Sequence, residues 1–129
     1  MYSHVMIGSN DLDRSQRFYD ATFGAMGRRK GSRDPNGRLI YVHEGNVFMA
    51  TKPINGDAAT PGNGMTIGFL MSSPEQTDAW HAAGVANGGT AIEDAPGIRT
   101  VGALQLYLAY LRDPDGNKLC GFHRVAAST

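Results

Sequence analysis

A chain of 129 residues suits one compact domain built around a single core. Its 12 Lys+Arg balance its 12 Asp+Glu, so no net charge recommends a nucleic-acid partner or an anionic membrane surface. No apolar run approaches the roughly 20 residues of a membrane helix, the opening MYSHVMIGSND lacks the basic start and apolar stretch of a secretory signal, and the single cysteine precludes an intrachain disulfide or zinc-finger framework; the expectation is a cytoplasmic protein.

The pattern begins with HVMIG at 4–8, which reads as a strand with Val5 and Ile7 on one face and His4 and Met6 on the other. NDLDRSQRFYDATFG follows. Asn10 or Asp11 can cap a helix, Leu12, Phe18, Tyr19 and Phe23 recur at helical spacing, and Gly24 suits the stop. Residues 25–52 predict three strands, with turns at RDPNG (33–37) and EGN (44–46); Arg38–His43 and Val47–Thr51 are the clearest of them. The Gly- and Pro-rich stretch 53–64 reads as a connecting loop.

The same order then restarts. Thr66–Met71 reads as a strand with Ile67, Phe69 and Met71 on one face. A helix is predicted over SPEQTDAWHAAGVANGG, with Ser73 and Gln76 at capping-box spacing and Pro74 at its first position. Short strands are expected at 90–93 and Lys118–His123, and a longer one at Ala103–Arg112. The turn DPDGN offers Pro114 for a type I turn and Gly116 for a left-handed position. At an offset of 62 residues Val5 matches Ile67, Ile7 matches Phe69, Phe18 matches Trp80, Phe23 matches Val85 and Gly27 matches Gly89. The chain therefore reads as two βαβββ modules, about 1–52 and 65–125, whose helix-free faces would curve around a cavity.

Three stretches, HVMIGSNDLDRSQRFYDATFGAMG, MTIGFLM and YLRDPDGNKLCGF, carry a resemblance to the vicinal oxygen chelate superfamily, which includes glyoxalase I, bleomycin-resistance proteins and extradiol dioxygenases. The resemblance implies an α+β fold with an open, barrel-like half-cup, and a homodimer. In metal-dependent relatives the first and last strands of each module supply His and Glu ligands to a divalent metal. Here the corresponding positions are His4, Met49, Thr66 and Cys120. Met and Thr are poor ligands for hard or borderline divalent ions, and one imidazole with one thiolate makes a weak site.

Three functions follow as expectations. The first is a bleomycin-resistance-like protein that binds a small organic molecule without metal, in a cavity lined by His4, Met6, Met49, Thr66, Tyr107, Cys120 and Phe122. The second is a metal-dependent lyase of the lactoylglutathione lyase kind, or a dioxygenase, with an altered ligand set around His4. The third is a metal-free enzyme with His4 as base or Cys120 as nucleophile. Each residue also has a structural reading: His4 as a hydrogen-bonded wall residue, Cys120 as packing, Tyr107, Tyr110 and Phe122 as core. His43, His81 and His123 read as structural or surface residues. His43 is the most open of these, because a rearranged site would need it beside His4. RRKGSR (28–33) could meet an anionic ligand at a cavity mouth, or form a solvated strand edge.

Overall fold

The computed structural model describes residues 1–125. Its elements run β1 (Val5–Gly8), α1 (Leu12–Ala25), β2 (Ser32–Arg33), β3 (Leu39–His43), β4 (Asn46–Thr51), β5 (Ile67–Leu70), α2 (Pro74–Ala86), β6 (Thr90–Val101), β7 (Leu104–Arg112) and β8 (Lys118–Arg124). They form two four-stranded sheets, ordered β1-β4-β3-β2 and β5-β8-β7-β6. In each sheet the first strand pairs parallel with the last, Val5 opposite Phe48 and Ile67 opposite Leu119, and the rest are antiparallel. The fold is α+β, with two repeated modules whose sheets do not close on one another.

The repeat holds at three core positions of the helices and fails at the expected Phe23–Val85 match, since Phe23 is buried and Val85 is 49% exposed. α1 buries Ser15, Phe18, Tyr19, Thr22 and Phe23, the stripe of a one-sided helix, and α2 buries Thr77, Trp80 and Gly84. Ser15, Phe18 and Thr22 thus match Thr77, Trp80 and Gly84 at the same offset. Asp11 caps α1 by accepting the Arg14 amide, and Ser73 caps α2 by accepting that of Gln76. The Gln76 side chain reaches back to the amide of Ser72, one residue short of a reciprocal capping box. α1 runs one residue past Gly24 and stops before Gly27, whose φ of 77° supplies the left-handed turn that a side chain resists.

The two helices pack together and share one core. Phe18, Tyr19, Phe23, Tyr41 and Phe48 from the first module join Phe69 and Trp80 from the second. Phe23 meets Phe69 edge-on at 5.1 Å between ring centres. Hydrogen bonds latch the modules on the other side. Asp113, 3% exposed, accepts from the Tyr19 hydroxyl at 2.6 Å, and from the Asn117 side chain and the Asp115 and Asn117 amides. Asp115 accepts from the Asn10 amide, the Ser15 hydroxyl and the Arg14 guanidinium. The DPDGN turn is therefore a clasp between β8 and the start of α1.

β6 corrects the expectation of a short strand at 90–93. It continues to Val101 across a wide bulge: Ile92 faces Tyr110 and Gly97 faces Leu108, so Glu93–Pro96 stand against Ala109 alone. As an edge strand β6 tolerates Pro96, which donates no ladder hydrogen bond. Arg99 pins the bulge, donating to the carbonyls of Asp94, Ala95 and Gly97.

Candidate functional site

A cleft lies at the junction of the modules. It has a volume of about 500 Å³, the size of a drug-like ligand site. Its floor is apolar and drawn from both halves: Val5, Phe23, Met26, Tyr41, Phe48, Ile67 and Phe69. All of β5 lines it, and β1 contributes Val5. Both are edge strands, each hydrogen-bonded on one side only within its sheet. The cleft is thus a gap between two sheet edges, roofed over the aromatic core.

Its rim is polar and carries two arginines and two histidines. Arg28 and Arg29 leave the end of α1, His4 precedes β1, and His43, Glu44 and Asn46 form the β3–β4 turn. His43 and His4, whose proximity the sequence could not settle, do line the same opening. His43 Nε2 lies 3.5 Å from Glu44 Oε1, and the Ser3 hydroxyl is 2.7 Å from His4 Nδ1. Glu44 and Gly45 have φ of 48° and 81°, the two left-handed residues of a type I′ hairpin turn. Such a turn favours Asn or Gly in the place Glu44 holds, so that residue carries backbone strain at the rim.

Of the seven residues expected to line one cavity, His4 is on this cleft; Met6, Met49, Thr66, Tyr107, Cys120 and Phe122 are not. Tyr107 lies on the helix side of its sheet, donating to Asp78 of α2 at 2.7 Å. Its strand partner is His123, which turns away from Cys120 to meet the Met71 carbonyl at 3.0 Å. Cys120 and Phe122 sit on the opposite face with Leu106, Leu108 and Tyr110, in a small apolar cluster of their own. Lys118 covers the Tyr110 ring at 4.9 Å and pairs with Glu93 at 2.6 Å. Cys120 is 6% exposed, and burial pushes its thiol pKa up despite the opposing pull of Tyr110, Lys118 and Arg99. That is the reverse of what a nucleophilic cysteine needs. Met6, 38% exposed, and Met49, 8% exposed, are register partners in the first sheet. Thr66 is exposed just ahead of β5.

The four positions that the resemblance assigns to a divalent metal make a poor donor set for one. They offer one imidazole, a thioether, a hydroxyl and a buried thiol whose pKa is raised. This donor set is the same whether the two sheets come from one chain or from two copies. Among the described residues no three His, Cys, Asp or Glu side chains converge into a candidate metal group. His81 is on α2, apart from the cleft, where burial lowers its pKa.

Two repeated βαβββ modules with this sheet order define the class of fold, and comparison supplies the family. Residues 2–120 match the sequence model of the Glyoxalase/Bleomycin resistance protein/Dioxygenase superfamily, and the chain belongs to that superfamily. It is similar to a glyoxalase/bleomycin resistance protein from Albidiferax ferrireducens T118, with 55% identity, a TM-score of 0.92, and coverage of 96% of this chain and 99% of that one. A glyoxalase-related enzyme from Fulvimarina pelagi shares the fold at 20% identity and a TM-score of 0.72, with 99% of each chain covered. So does a glyoxalase/bleomycin resistance protein/dioxygenase family enzyme from Burkholderia phytofirmans PsJN, at 20% identity and a TM-score of 0.71, over 95% of this chain and 98% of that one. No curated protein matches the chain.

Proposed function

We propose that this chain binds a small organic molecule in the cleft between β1 and β5, and does so without the metal centre of its enzymatic relatives. The observation that carries the reading is the contrast between two places. The positions His4, Met49, Thr66 and Cys120 offer at most two good ligands for a divalent ion, while the cleft beside His4 is large and floored by aromatic rings from both modules. The raised thiol pKa and burial of Cys120 weigh against the nucleophile alternative.

The test is metal content, joined to binding. Protein is expressed with added Ni, Zn, Fe and Mn, purified without chelator and analysed for elements. Trace metal together with saturable binding of a naphthyl fluorophore supports the reading. A near-stoichiometric metal that is lost in His4→Ala overturns it in favour of a lyase or dioxygenase with an unexpected ligand set.

The active form in this reading is a cytoplasmic homodimer. The resemblance motivates the dimer, and so does apolar surface on the helix-free side of the second sheet: Leu70, 74% exposed, with Val101 and Leu104. The register places Leu70 beside Phe122 and Val101 beside Leu104. A monomer by light scattering at micromolar concentration would count against it. No helix among the described residues is long and apolar enough to cross a membrane.

A further inference from the structure

We infer that the ligand of the cleft is an amphipathic organic anion: an aromatic body on the Phe23, Phe48 and Phe69 floor, and a carboxylate or sulfonate head held by Arg28 and Arg29. The inference rests on the cleft being the ligand site, and adds the chemical class. Three observations meet here. First, the rim carries two permanent cations, Arg28 and Arg29, against one acid, Glu44, which leans towards His43. Second, three of the other arginines of the first module are engaged, Arg17 on α1 being the exception. Arg33 donates to Asp13 and Gln16, Arg38 pairs with Asp34, and Arg14 pairs with Asp115. Arg28 and Arg29 enter no ion pair or side-chain hydrogen bond among the described residues, so their donors are available. Third, both follow directly from the left-handed turn at Gly27, which ends α1 and sends the next residues across the opening. A guanidinium beside an apolar wall suits an anionic head, since its flat fork pairs with carboxylate-type oxygens in a bidentate way.

The experiment uses two fluorophores with one aromatic framework. Anilinonaphthalene sulfonate carries the anion, and phenylnaphthylamine lacks it. Both are titrated into wild-type protein, the double variant Arg28→Gln/Arg29→Gln, and Gly68→Phe. Gly68 lines the cleft, and a Cβ there meets nothing within 4 Å, so an added side chain starts in open space at the cleft wall. The expected result is that the sulfonate binds about tenfold more tightly than the neutral probe. The arginine double variant closes that gap while leaving the neutral probe unchanged, added salt narrows it, and Gly68→Phe weakens both. Equal affinities that ignore the arginines, with Gly68→Phe still blocking both probes, overturn the anion inference and leave the cleft as a ligand site. Binding that ignores Gly68→Phe, or no binding of either probe, overturns the cleft reading and the inference with it. Circular dichroism and melting of each variant show that the folded protein is being titrated.

Discussion

Tyr19→Phe removes one oxygen from the middle of the molecule and nothing else. The ring keeps its contacts with Phe18, at 4.8 Å between centres, and with Phe48 at 4.9 Å. The loss is the 2.6 Å hydrogen bond to Asp113. Asp113 is held by three other donors, but desolvation outweighs them all and raises its pKa above the ordinary value. A hydrogen bond to a buried carboxylate contributes about 1.5–3 kcal/mol, and one to a neutral acceptor about 1 kcal/mol. At pH 7, with Asp113 ionised, the expected cost is therefore about 2 kcal/mol. For a chain of this size that is a fall in Tm of about 7 °C.

The pH dependence separates this account from simple packing loss. Because the folded pKa of Asp113 is raised, the unfolded chain gives up this proton first. The group's contribution to stability is fullest below the ordinary carboxylate pKa and falls as pH rises through the folded value. Tyr19→Phe removes a bond that favours the ionised form, so its cost is greatest at neutral pH and shrinks to about 1 kcal/mol once Asp113 is protonated. The groups around the carboxylate are Tyr19 on α1, kept protonated by burial and by the Asp113 charge, then Asn117 and the Arg14–Asp115 pair. Urea unfolding of wild type, Tyr19→Phe, Asp113→Asn and the double variant at neutral and acid pH gives the coupling energy directly. A cost under about 0.5 kcal/mol at pH 7, or one that is the same at both pH values, refutes the reasoning.

Other substitutions probe other parts of the structure. Gly84→Ala places a Cβ 2.4 Å from Leu111 Cδ1 and 3.2 Å from the Phe18 ring; despite alanine's better helix propensity, a loss of about 1–2 kcal/mol is expected in denaturant unfolding, and a gain would show that the contact relaxes freely. Glu44→Asn gives the β3–β4 turn the residue its left-handed φ favours, and should raise stability by about 0.5–1 kcal/mol, read as a higher Tm. Cys120 should react with an aromatic disulfide about a hundredfold more slowly in the native protein than in denaturant; comparable rates would show an open thiol. Its raised pKa also predicts that native stability declines as pH rises through the ordinary thiol range, because the unfolded chain ionises first. Cys120→Ala should remove that part of the alkaline loss in equilibrium unfolding.

Much of this fold could be read from local pattern. The helical stripes through Phe18 and Trp80, the caps at Asp11 and Ser73, and the restart at Ile67 are short-range signals, and they place β1, α1, β5 and α2 within a residue or two. What escaped was register. The strand expected at 90–93 is interrupted by the bulge at Glu93–Pro96, and β6 resumes in register at Gly97. Tyr107 and Cys120 belong to opposite faces, because an odd-numbered residue of β7 faces α2 and an even-numbered one does not. The site was harder still. RRKGSR and His43 were visible as candidates. The floor of Phe23, Phe48 and Phe69 was not, because it exists only where two modules meet, and no spacing within either module encodes that meeting.

The contact between α1 and α2 has a consequence of its own. Thr22 and Gly84 occupy the same place in their respective modules, and a side chain grown on Gly84 would reach to 3.4 Å from the Thr22 methyl. They therefore sit close to the axis that relates the two halves. Had the halves been separate, identical chains, whatever residue stood there would have met its own copy: threonine crowded against threonine, or glycine against glycine with a void between. A single polypeptide is free of that constraint, so one helix can carry the knob and the other the hole. Joining the modules end to end did more than keep them together. It let the point where the two helices meet become asymmetric.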